Sequence, residues 1–89
     1  MGYKVEYDKR LLKSISKLDK KAKEQIKKYI DDNLVDTENP YNAQWRGLKG
    51  NLKNKGRYRV GNYRILAEIK ENRIIIYILD VGHRKEIYK

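Results

Sequence analysis

The segment GHRKEIY, residues 82–88, sets the chain's only histidine, His83, beside Arg84 and Lys85, with Tyr88 four residues beyond the arginine. Arg57, Arg59 and Arg64 precede it in the same half of the chain, with Lys53 and Lys55 just ahead of them. Such side chains hold negative charge and move protons. Elimination narrows what else is available. With no cysteine, disulfides, zinc–thiolate sites and thiol nucleophiles are excluded. Glu68, Glu71, Asp80, Glu86 and His83 stand at no metal-ligand spacing, so neither a metal nor another cofactor is expected. No P-loop pattern occurs, and the two serines, Ser14 and Ser16, are remote from His83 in sequence. Arginine, lysine, tyrosine and one histidine remain. That set suits cleavage of RNA, which carries its own nucleophile. The 2′-hydroxyl is deprotonated, cations stabilise the charge growing on the phosphate, and the leaving 5′-oxygen is protonated. DNA lacks that hydroxyl, so the chemistry prefers RNA.

Charge agrees with a polyanionic partner. Twenty-two basic residues face 12 acidic ones, a net charge of +10, and the sequence pI is about 9.8. Residues 49–89 hold 11 basic and 4 acidic residues, a net charge of +7, so the partner is expected on the C-terminal half. Eighty-nine residues at 39% hydrophobic content make one domain, 1–89, with a modest core. The N-terminus has no apolar signal region and no apolar run approaches a membrane span. A cytoplasmic protein without a membrane partner is expected.

The elements that must position these residues follow from periodicity. YKVEY, residues 3–7, alternates as a strand, and Asp8 is placed to N-cap a helix. Leu11, Leu12, Ile15 and Leu18 recur at helical spacing. Asp19 is a second cap, and Ala22, Ile26, Tyr29, Ile30 and Leu34 form another stripe. Residues 36–56 have no clear period, with Trp45 and Leu48 as anchors to the core. RYRV and YRILAEIK flank Gly61-Asn62, a hairpin turn, and RIIIYILDV is apolar on both faces, as for a central strand. The expected fold class is α+β: β-α-α-β-β-β, with two antiparallel helices packed on one face of an antiparallel sheet.

On such a sheet Arg57 and Arg59 point the same way. Whether Arg64 joins them depends on the hairpin register. Read singly, each residue has a structural alternative. Arg64 is equally an exposed cation or an ion-pair partner of Glu68, Tyr88 a cap on the core, and His83 a turn residue after Gly82.

GNYRI at 61–65, the strand IIIYILDVG and GHRKEIY at 82–88 resemble the RelE branch of the RelE/ParE toxin superfamily. YDKRLLKSISKLDKKAKEQIKKYI resembles its opening strand and helical hairpin, and NPYNAQWRGLKG its connector. The resemblance implies a RelE-like toxin of a type II toxin–antitoxin system. Such a toxin is a metal-independent endoribonuclease, an mRNA interferase that cuts mRNA in the ribosomal A site and stops translation. It further implies an acidic, RelB-like antitoxin as partner, in a complex that also binds operator DNA. By position, Arg64 and Arg84 would bind phosphate and stabilise transition-state charge. Tyr88 would orient or activate the 2′-hydroxyl, and His83 would serve as general acid or base. Arg57 and Arg59 fall on the family's paired basic strand positions, with Lys53, Lys55 and Lys85 as further RNA contacts. The best-studied family members use lysines at the paired positions; arginine there binds phosphate well but is a poor base. The same resemblance leaves two alternatives: a ParE-like, non-nucleolytic inhibitor of DNA gyrase, and a decayed toxin that only binds its antitoxin. The tail with His83 and Tyr88 argues against the gyrase inhibitor, since a binder of that kind does not need them.

Overall fold

A computed structural model describes residues 2–48 and 54–83. The chain runs through β1 (Lys4–Tyr7), α1 (Leu11–Ser16), α2 (Lys20–Tyr29), a π-turn (Ile30–Leu34), β2 (Trp45–Gly47), β3 (Lys55–Val60), β4 (Tyr63–Lys70), a 3₁₀ turn (Glu71–Arg73) and β5 (Ile75–His83). The sheet order is β1-β5-β4-β3-β2. This is the expected α+β arrangement with two differences. The connector supplies a short strand, β2, antiparallel to β3, and β1 pairs with β5 in parallel. An opening strand read alone carries no sign of its partner's direction.

The helical stripe forms as its spacing predicts. Asp19 N-caps α2 by accepting a hydrogen bond from the Ala22 N–H at 2.7 Å, satisfying a donor at the helix start. Ala22, Ile26, Ile30 and Leu34 recur every fourth residue and are all buried, the last two through the π-turn, where the Val35 N–H bonds the Ile30 carbonyl. They cover Tyr58, Val60, Ile65, Ala67, Ile69, Ile76, Ile78 and Val81 from the sheet. Two details of α1 differ from expectation. Asp8 does not cap the helix directly; its carboxylate accepts from the Arg10 N–H and Nε, and the helix begins three residues on. Leu12 is 76% exposed, because on so short a helix Leu11, Ile15 and Leu18 already fill the inward direction.

The hairpin turns at Gly61-Asn62, with positive φ only at the glycine, which fits a type II′ turn. Its register pairs Val60 with Tyr63 and Arg59 with Arg64. Strand β5 has hydrogen-bonded neighbours on both sides, as its apolar run implied. Its alternation breaks once. Leu66 pairs with Asp80 but Ala67 with Ile78, so Leu79 is an extra residue, a β-bulge. The bulge is why Ile76, Ile78 and Val81 all reach the core although 78 and 81 differ in parity. Alongside it, the Ser14 hydroxyl on α1 donates to the Asp80 carboxylate.

Candidate phosphate-binding face

The open face of the sheet, away from the helices, gathers the basic residues. Residues directly opposite in antiparallel strands share a face. The pairs Arg46–Arg57 and Arg59–Arg64 therefore lie on one side, together with Lys55 opposite Glu68. Arg57, Arg59 and Arg64 are brought together, and Arg46 joins them. A cleft of about 550 Å³ is lined by Ala43, Gln44, Arg46, Gly47, Arg57, Arg59 and Arg64. Among its described lining residues there is no carboxylate. Among the described residues no group of His, Cys, Asp and Glu could hold a metal ion.

Two of the arginines are held by backbone carbonyls. Arg64 is only 5% exposed, and its Nη1 donates to the Tyr63 carbonyl at 3.1 Å. It is thus neither an exposed cation nor aligned with Glu68, which stands four residues on, across from Lys55 and Tyr77. Arg46 Nη1 donates to the Trp45 carbonyl at 2.9 Å and the Ala43 carbonyl at 3.3 Å. Gly82 lies opposite Arg64 on β5, so no side chain from that position covers the guanidinium.

Strand β2, which carries Arg46, is fixed by aromatic packing on the other face. The Trp45 ring sits 5.0 Å from Tyr58 and 5.7 Å from Tyr41, an anchoring role rather than an exposed stacking platform. Gly56 lets the indole lie flat, since a Cβ there would stand 2.5 Å from Trp45 Cζ2. Tyr58 is fully buried and donates to the Pro40 carbonyl at 2.7 Å; burial pushes its hydroxyl pKa well up. Leu48 is half-buried, and its N–H bonds the Lys55 carbonyl.

His83 is not part of this cluster. The bulge at Leu79 shifts the alternation so that His83 pairs with Tyr63, on the face opposite Arg64. The two rings meet edge-on with centroids 5.7 Å apart. Continued alternation from Ile76 and Ile78 would have put His83 on the arginine side. Lys53, Arg84, Lys85 and Tyr88 lie outside the described residues. Arg46 was missed in the sequence because the connector has no period. The signal that could have found it is the tryptophan beside it: a core aromatic on an edge strand turns its neighbour outward.

The described residues form a sheet with two helices on one face and a cluster of arginines on the other. Residues 5–88 match the family described as ParE toxin of type II toxin–antitoxin system, parDE, and the chain belongs to that family within the RelE/ParE toxin superfamily. It is 29% identical to the mRNA interferase toxin RelE of Escherichia coli (strain K12), over 99% of this chain and 92% of the relative. The fold matches a chain of the toxin–antitoxin complex RelBE2 from Mycobacterium tuberculosis, with a TM-score of 0.81 at 23% identity, over 94% of this chain and 93% of the other. It also matches a chain of the RelB–RelE antitoxin–toxin complex from Methanococcus jannaschii, with a TM-score of 0.62 at 29% identity, over 93% and 94%.

Proposed function

We propose that this chain is the toxin of a type II toxin–antitoxin system, a ribosome-dependent, metal-independent endoribonuclease that cleaves mRNA in the A site. The observation that carries the reading is the arginine cleft, with two of its guanidinium groups oriented by backbone carbonyls. Preorganised cations at developing charge lower the barrier without reorganising during the reaction. Arg64, buried and held, is the ligand for the scissile phosphate and its transition-state charge. Arg59 and Arg57 grip the same strand of RNA, and Lys55 extends the basic track. Arg84 adds a second charge at the phosphate, and Tyr88 orients the 2′-hydroxyl; Lys53 and Lys85 contact flanking phosphates. Arginine is a poor base, so proton transfer falls to the tail, where Tyr88 needs neighbouring cations to lower its pKa from about 10.

An acidic antitoxin that neutralises the +10 chain is the expected partner in the cytoplasm, in a complex that also binds operator DNA. The test of the activity is primer extension on a defined mRNA, with and without programmed ribosomes. Cuts are expected only with ribosomes, falling about 10²-fold or more in Arg64→Ala. Intact mRNA from folded protein, together with gyrase-linked DNA breaks, would replace this reading with the gyrase-inhibitor alternative. Intact mRNA without such breaks would leave antitoxin binding alone.

A further inference from the structure

Strand β3 carries its two outward arginines in two separate cross-strand pairs. Arg57 faces Arg46 on β2, and Arg59 faces Arg64 on β4. Two such arginine pairs stand side by side on the sheet. Guanidinium groups match phosphate oxygens geometrically, so each pair is suited to hold an anion between its forks. The pairs are two residues apart along β3, about 7 Å at the strand repeat. That is the scale of the repeat between neighbouring phosphates in a stretched single strand.

We propose that the cleft is a tandem phosphate site for two consecutive phosphates of one RNA strand. The Arg59–Arg64 pair takes the scissile phosphate and the Arg46–Arg57 pair takes its neighbour. Arg46 is then a positioning residue that sets the register of the strand. One member of each pair is anchored to a backbone carbonyl, Arg64 to that of Tyr63 and Arg46 to that of Trp45, so each subsite has one fixed fork. The partner forks, Arg57 and Arg59, come from the same strand, which locks the spacing between subsites. Trp45, packed on Tyr58, sets the depth of the outer subsite from the far side of the sheet. This inference rests on the endoribonuclease reading for the identity of the inner phosphate.

The test uses uncleavable 2′-O-methyl oligonucleotides without terminal phosphates, a dinucleotide with one phosphate and a trinucleotide with two. Binding to the full chain is followed by NMR titration of the arginine Nε–H resonances. The trinucleotide should bind about tenfold tighter than the dinucleotide, the value of one added charge-assisted contact. Its affinity should fall with salt at a log–log slope of about −1.4, against about −0.7 for the dinucleotide. Arg46→Gln should erase the tenfold gain and bring the trinucleotide slope to about −0.7. Arg59→Gln should weaken both ligands. A trinucleotide advantage that survives Arg46→Gln overturns the proposal. So does the absence of any advantage in the unsubstituted protein. Ribosomal cleavage is assayed on the same preparations. Cleavage without the two-phosphate advantage removes the tandem site and keeps the nuclease, whereas loss of both removes both.

Discussion

Substituting Gly56 by alanine tests how the arginine face depends on the packing behind it. An added Cβ would stand 2.5 Å from Trp45 Cζ2, 2.7 Å from Cη2 and 2.5 Å from the Arg46 carbonyl oxygen. Two of these atoms belong to a rigid ring packed on buried Tyr58 and the third to backbone, so no flexible tip absorbs the clash. Overpacking of this kind costs about 1–3 kcal/mol. Displacing the indole also forfeits an aromatic pair with Tyr58, about 0.5–1.5 kcal/mol. The expected destabilisation is about 2–4 kcal/mol, or roughly 8–32 °C in Tm for a domain of this size. Trp45 is the only tryptophan, so its fluorescence during thermal unfolding reports both stability and the indole's surroundings. Gly56→Ala should melt lower and start from a more solvent-like emission. In the double variant Gly56→Ala/Trp45→Leu the two changes should cost less than the sum of the single ones, because the clash with the indole is gone and only that with the Arg46 carbonyl oxygen remains. A Gly56→Ala protein that melts within a degree of the parent with unshifted emission, or strict additivity in the double variant, would refute the reasoning.

Two further outcomes concern pH. Hydrogen bonds from Arg10, side chain first and then backbone, with one from Tyr77, hold the Asp8 carboxyl well below the usual carboxylate range. Its contribution to stability is present above the unfolded-state pKa of about 3.9 and is lost as pH falls through the folded-state value. Thermal melts from pH 5 to pH 2 should therefore drop more steeply for the parent than for Asp8→Asn; parallel curves would contradict this. Burial raises the Tyr58 hydroxyl pKa, so its contribution is complete below about pH 10 and is lost as pH rises above that. Tyr58→Phe should flatten the alkaline loss of stability while costing about 1 kcal/mol at neutral pH for the bond to Pro40. An unchanged alkaline limb, read from denaturant melts at pH 9–11, would count against it.

What the sequence made legible was local. The stripe Ala22, Ile26, Ile30, Leu34 fixes a helical face by spacing alone, and Gly61-Asn62 marks the hairpin, while the register that pairs Arg59 with Arg64 is seen only in the fold. What it hid depends on distant partners. Three residues, Trp45–Gly47, make a strand only because β3 offers a ladder and Tyr58 a surface for the indole. Lys4–Tyr7 alternates in the same way whether its partner runs parallel or antiparallel. The bulge at Leu79 leaves no trace in a run of apolar residues, yet it decides which face His83 occupies. Arg64 reads as surface in the sequence and is buried in the fold, because a cation on an open sheet face can be enclosed by its neighbours.

The parallel pairing of Lys4–Tyr7 with Ile75–Ile78 has a consequence for how the molecule comes into being. Strand β1 has no ladder until β5 appears, while the β2–β4 meander can assemble earlier. Loop closure over so long a stretch is slow, and the chain emerges from synthesis at about 5–20 residues per second. Ile76, Ile78 and Val81 belong to the core beneath the helices, so a nascent chain lacking them can bury its helices only against the residues of β3 and β4. The core is therefore complete only once β5 has been made. A partner that recognises the finished sheet has no surface to hold before that strand is in place.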